Sequence, residues 1–189
     1  GRGGDIDTIN EIGASIGISA TAVTLLSDPN SAIITSSRVR AALQDGEPER
    51  AAEMLGHDWA VTGTVQMGDQ RGRTIGFPTA NIPLGNLLHP AFGVYAVQIF
   101  EAVAGQPYRL LGNGVANIGV RPTVEHRGVL CEAHLFDQQP DLYGVRLAIG
   151  LKSFIRPERK FTGIDELTAQ IAKDARAARA LLPPIKQTA

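Results

Sequence analysis

The chain has 189 residues, 43% of them hydrophobic and 20% charged, with a formal net charge of −1, which suffices for one core of ordinary size plus a small additional element. The near-neutral balance and 5% aromatic content exclude a broad nucleic-acid face, where basic and aromatic residues would alternate. No apolar run approaches the ~18 residues of a membrane span, and the lone Cys131 excludes an internal disulfide or a multi-cysteine zinc site, so a cytoplasmic protein without membrane or nucleic-acid partners is expected.

The first third of the sequence reads as helix and loop. Residues 38–43 and 48–55 form two short helical patterns, with Asp45-Gly46 as a break and Gly56 as a C-terminal stop. From there the hydrophobic period changes to two. Strands are predicted over 60–66, 94–100, 109–117, 129–136 and 145–154, separated by Gly, Pro, Asn and Asp rather than by helical crossovers. This pattern predicts a small antiparallel barrel or sandwich and argues against a doubly wound parallel sheet. A closing helix begins after Phe161, with Thr162 and Asp165 as a capping box. Leu167, Ile171, Ala175, Ala178 and Leu182 recur on one helical face that would lie on the barrel, and Pro183-Pro184 ends it.

The stretch from Gly68 to Asn81, GDQRGRTIGFPTAN, holds the densest chemistry. Gly68, Gly72 and Gly76 allow close backbone approach, Arg71 and Arg73 can reach phosphate oxygens, and Pro78 stiffens the exit into Thr79 and Asn81. A hydroxyl and an amide oxygen are hard ligands of the kind magnesium accepts alongside phosphate. The segment is not a Walker loop, since no Gly-Lys pair occurs in the chain. A Gly-rich hairpin with a Pro-stiffened exit is the bland alternative. Farther on, alternation places Leu130, Glu132, His134 and Phe136 on one strand face and Val129, Cys131, Ala133 and Leu135 on the other, so a carboxylate shares its face with apolar neighbours. On its own, Glu132 could equally be a solvated residue of an edge strand. His134 reads as a packing or hydrogen-bonding residue, and His57, His89 and His126 form no metal-ligand spacing.

GRTIGFPTAN at 72–81, GVYAV at 93–97, GVANIG at 114–119, RPT at 121–123, EAHLFD at 132–137, DLYG at 141–144 and IRPERKF at 155–161 occur in this order. Together they resemble the riboflavin kinase module of the bacterial bifunctional riboflavin kinase/FMN adenylyltransferases, or FAD synthetases. The resemblance implies a small antiparallel Greek-key (split) barrel with a C-terminal helix over 55–189. It implies transfer of the ATP γ-phosphoryl to the riboflavin 5′-hydroxyl, giving FMN. Glu132 would be the catalytic base, and Thr79 and Asn81 would hold Mg2+ and phosphates. Gly72, Arg73, Gly76, Phe77 and Pro78 would form the flap beside the nucleotide, with Asn117 near the same pocket. Asp141, Tyr143 and Gly144 would lie against the adenine and, with Arg156 and Phe161, would help to shape the cover over the flavin ring. A non-catalytic flavin-binding barrel is the alternative.

TSSRVR at 35–40 resembles a motif near the end of the adenylyltransferase module, and residues 1–5 resemble a segment just upstream. Residues 1–54 are therefore expected to be an α-rich remnant of a Rossmann-like nucleotidyltransferase domain. Such a remnant would pack loosely or be partly mobile, and no FMN adenylylation is expected from this chain alone. Oligomeric state is not legible.

Overall fold

Alternating apolar residues from Ala60 onward fold into six antiparallel strands, and the chain then returns as a helix against them. The computed structural model describes residues 5–68, 72, 75–121 and 128–185. The expected phosphate-loop arginines Arg71 and Arg73, the RPT residues Pro122 and Thr123, and residues 186–189 of the tail lie outside the described residues. The strands are β1 (Ala60–Thr64), β2 (Ala80–Pro83), β3 (Gly93–Glu101), β4 (Arg109–Arg121), β5 (Gly128–Leu135) and β6 (Arg146–Pro157). They pair in the order β1-β6-β3-β4-β5-β2.

The sheet curls until its two edges approach. At Gly63 of β1 an added Cβ would lie 2.6 Å from the Ile82 side chain of β2. Just beyond β1 a single bridge joins Gln66 to Asn81, with the Gln66 N–H donating to the Asn81 carbonyl at 2.9 Å. The result is a nearly closed barrel. Its interior is filled by one face of every strand, including Val61, Ile82, Tyr95, Val97, Ile118, Cys131, Ala133, Leu147, Ile149 and Leu151. Burial in this apolar interior, beside the Glu132 charge, pushes the Cys131 thiol pKa up to about 12.

Four of the five expected strands recur with their ends moved outward or trimmed by a few residues, and the fifth, β1, stops at Thr64. The element missed is β2. Its first two residues end the stretch read as a phosphate loop, and its four residues are too few to display alternation.

The closing helix α4, numbered after three earlier helices described below, spans Ile164–Leu181. Ala175, Ala178 and Leu182 pack on Val94, Ala96, Val115 and Phe136 of the barrel's outer face. The expected capping box is displaced. Gly163 is the N-cap, and Glu166 rather than Asp165 reaches back, accepting from the Thr162 N–H at 3.0 Å and the Thr162 hydroxyl at 2.9 Å. These bonds favour the charged carboxylate and hold its pKa below the usual value. At the other end Arg179 pairs with Asp137 at 2.8 and 2.9 Å and lies over the Phe136 ring, so this cation fastens the helix rather than only facing solvent.

The chain divides into two compact units, 1–34 and 35–189. In the second, α2 (Ser36–Gln44) and α3 (Pro48–Leu55) bury Ala42, Leu43 and Ala51 with Trp59 and Leu88 beside them. Loose packing as far as residue 54 was the expectation, but here these helices are packed, because their apolar positions share one face. Thr35 is the N-cap of α2, accepting from the Arg38 N–H at 3.2 Å. The first unit contains α1 (Ile6–Ala14), capped by Asp5, and leaves large apolar side chains exposed, among them Val23 at 86% and Leu26 at 75%. No helix among the described residues is long and apolar enough to cross a membrane.

Candidate active site

Cross-strand register assembles the site on the outer face of the barrel. Asn81 of β2 lies opposite Glu132 of β5, Glu132 opposite Asn117 of β4, Asn117 opposite Val94 of β3, and Val94 opposite Arg156 of β6. Directly opposed residues of paired strands project to the same face. Their sequence neighbours Ala80, Cys131, Ala133, Ala116, Ile118 and Tyr95 fill the interior. One row of five side chains thus runs across the outside of the sheet.

The end of β6 is re-aimed by a bulge. Tyr95 pairs with Phe154 and Val94 with Arg156, leaving Ile155 as the extra residue. Phe154 packs inward on the main core, while Ile155 joins the outer cluster under α4. Arg156 then meets the helix.

One cavity opens along the row and a second borders its Asn81 end. The larger, about 380 Å³, lies between the outer face and α4, with Phe77, Glu132, Asn117, Arg156, Phe161 and Leu167 in its wall. The smaller, about 60 Å³, is bounded by Pro78, Ala133, Leu135 and the loop from Gln138 to Tyr143. Gly72, Thr79 and Asn81 line both, so the cavities meet at these three residues.

The junction is tightly built. Asn81 is 6% exposed, and its Oδ1 finds no hydrogen-bond donor among the described residues, while Nδ2 donates to the Thr79 carbonyl at 3.3 Å. Gly68 covers it so closely that an added Cβ would come within 2.7 Å of Nδ2. Gly76, with φ of 82°, turns the chain ahead of Phe77. His134 makes the hydrogen bond expected of it, between Nδ1 and the Pro78 carbonyl at 2.8 Å, and its ring stands edge-on to Phe77 and Phe136. It thereby ties the Phe77-Pro78 approach to β5.

The predicted residues divide between the cavities. Glu132, Phe77, Asn117, Arg156 and Phe161 line the larger, and Pro78, Asp141 and Tyr143 the smaller. The loop at 141–143 and the segment 156–161 therefore face different cavities. Gly144 (φ 74°) lies in neither wall; its N–H donates to the Val65 carbonyl at 3.1 Å. Gly76 borders a separate shallow depression with His134 and Asp137.

Two carboxylates of the larger cavity were missed. Glu158 accepts weakly from Asn117 Nδ2 at 3.4 Å, and Asp174 is buried against Arg156. Asp174 had a legible signal, since it falls on the apolar stripe of α4 between Ile171 and Ala175. Among the described residues no cluster of three or more His, Cys, Asp or Glu could hold a metal. The metal-ligand candidates therefore remain the neutral oxygens of Thr79 and Asn81.

Residues 55–182 match the family model of flavokinase, or riboflavin kinase. The chain is 42% identical over 179 residues to a bifunctional riboflavin kinase/FMN adenylyltransferase of Escherichia coli strain K12, covering 95% of this chain and 55% of that protein. It is 46% identical over 149 residues to the protein of the same description from Bacillus subtilis strain 168, covering 77% and 45%. The chain thus spans about half the length of the curated relatives it matches. A crystal structure described as a macrolide-efflux protein from Streptococcus pneumoniae superposes with a TM-score of 0.70 at 32% identity, over 83% of this chain and 50% of that one. The match across the whole barrel and closing helix, together with the extent of identity to these relatives, establishes that the chain belongs to the riboflavin kinase family.

Proposed function

We propose that this chain transfers the γ-phosphoryl of ATP to the 5′-hydroxyl of riboflavin, giving FMN and ADP. The observation that carries this reading is the meeting of two unequal cavities at Thr79 and Asn81, with Glu132 opposite Asn81. The larger cavity, walled by Phe77, Phe161, Val94, Val115, Ile164 and Leu167, suits a flat tricyclic ring. The smaller, too small to enclose a whole nucleotide, would take part of it beside the 138–143 loop. The acceptor hydroxyl and the γ-phosphoryl would then come together where the cavities join.

Phosphoryl transfer passes through a loose transition state, so alignment and charge neutralisation provide most of the acceleration. Glu132, fixed between β2 and β4, would accept the proton of the attacking hydroxyl. Thr79 and Asn81 fit a hard cation, because the buried Asn81 Oδ1 otherwise has no partner among the described residues. Bound there with the nucleotide, Mg2+ would neutralise phosphate charge. Gly72 and Phe77 would close over the junction, and Asp141 and Tyr143 would hold the base of the nucleotide. Extensive similarity to bifunctional relatives supports reading residues 1–54 as the end of an adenylyltransferase-like module ahead of a kinase module at 55–189.

A purified chain incubated with riboflavin, ATP and magnesium, with flavins separated by chromatography, tests the assignment. FMN is the expected product. Riboflavin bound without any FMN formed would favour the non-catalytic flavin-binding barrel instead, a reading that gives the smaller cavity no role.

A further inference from the structure

Among the described residues, Arg156 and Asp174 form the most deeply buried ion pair. Arg156 Nε donates to both Asp174 carboxylate oxygens at 3.0 Å, and Nη2 donates to Oδ2 at 2.7 Å. Gln170 Nε2 donates to Oδ1 at 2.7 Å, and Arg156 Nη1 donates to the Pro157 carbonyl at 2.9 Å. Asp174 is 4% exposed, and both members of the pair line the larger cavity.

Packing alone does not account for this pair. The stripe of α4 around Asp174 is otherwise Ile164, Leu167, Ile171, Ala175 and Ala178, and an apolar residue would continue it without desolvating a charge. Buried ion pairs are on balance no more stabilising than apolar replacements of similar volume. What the pair does supply is orientation. The bulge at Ile155 turns Arg156 toward the helix, and the carboxylate holds the guanidinium along its Nε–Nη2 edge while Nη1 is taken by the Pro157 carbonyl. Its carbon lies 5.8 Å from the centre of the Phe161 ring. The result is a flat, rigid cation beside an aromatic ring on the cavity wall, a surface suited to stacking against an extended planar ring system.

We propose that Asp174, seconded by Gln170, is a positioning residue for flavin recognition, holding the Arg156 guanidinium as a fixed wall of the larger cavity. The inference rests on the assignment of that cavity to riboflavin. It predicts that the pair acts on flavin affinity and leaves the nucleotide side of the site alone.

The test measures steady-state kinetics, riboflavin fluorescence quenching and thermal unfolding on the full chain and on Asp174→Asn, Arg156→Lys and the double variant. In Asp174→Asn the KM and Kd for riboflavin should rise about tenfold, the scale of one lost charge-assisted contact, with KM for ATP and kcat little changed. Arg156→Lys keeps a charge for Asp174 but loses the planar fork, and should show the same selective rise. The double variant should bind riboflavin no worse than the weaker single variant, since both changes remove one device. If Asp174→Asn does not fold, Arg156→Lys decides alone. Unchanged riboflavin affinity in the folded variants, or a loss spread equally over riboflavin, ATP and kcat, overturns the inference and makes the pair merely structural. A wild-type chain that neither binds nor phosphorylates riboflavin overturns the functional assignment, and this inference with it.

Discussion

Adjacent residues of β5 belong to different worlds. Cys131, Ala133 and Leu135 point into a packed apolar interior, whereas Glu132 and His134 point outward into the wall of the larger cavity. In many small barrels the interior receives the ligand. Here the interior is largely filled and the larger cavity lies on the outer face under α4, while the smaller one borders inward-facing Ala80, Ala133 and Leu135 beside the 138–143 loop. The lesson is a division of labour by pleat: alternate residues of one strand can serve stability or reaction with little interference.

That separation predicts distinct mutational signatures. The largest effect is expected from Glu132→Gln, which should lower turnover by about 10² to 10⁴-fold, the usual contribution of a positioned base. Thermal stability and riboflavin binding should stay near wild type; wild-type turnover would remove Glu132 from the role of base. Asn81→Ala comes next. Removing the oxygen at the junction should weaken magnesium-dependent nucleotide binding by about tenfold or more, and a calorimetric titration with unchanged affinity would refute the ligand assignment.

A smaller effect belongs to the inner face. The folded Cys131 thiol titrates near 12, above its ordinary 9.0. The folded state therefore retains a proton that the unfolded chain loses, so this contribution is fully present below pH 9 and declines as pH rises toward 12. Cys131→Val should flatten that alkaline limb in denaturant titrations while leaving kcat unchanged at neutral pH. An altered kcat would show that the two faces are not separable. Smallest of all, removing residues 1–34 should leave FMN formation intact, since residues 35–189 form a compact unit of their own. Loss of activity would show that the first unit supports the site.

Sequence patterning revealed the strands wherever alternation ran long enough to be seen, and the same alternation put Glu132 outside and Cys131 inside. It could not reveal β2, because four residues ending in Pro83 give barely two periods. Nor could it reveal that Asn81, Glu132 and Asn117 stand in register, since strand pairing is a long-range property. Arg156 was legible as a basic residue near an aromatic, and Asp174 as a carboxylate on an apolar stripe, but their pairing was not. Asp174 is eighteen residues away on a helix read only for its apolar stripe, and the extra residue at Ile155 that turns the arginine toward it has no local signature. The helix cap was displaced by one position because Thr162 lies outside the helix and Gly163 provides the first turn's boundary.

The bridge between Gln66 and Asn81 gives the fold a further property. Among the described residues it is the hydrogen-bonded link between the two free edges of the sheet, and one of its two residues is the asparagine at the cavity junction. Pairing of β2 with β5 already sets Asn81 opposite Glu132, and the Gln66 bridge then ties the opposite edge of the sheet to that same asparagine. Ligands that engage Asn81 should then slow amide exchange at Gln66, so the kinetics of that one proton would report on occupancy of the site from the far side of the seam.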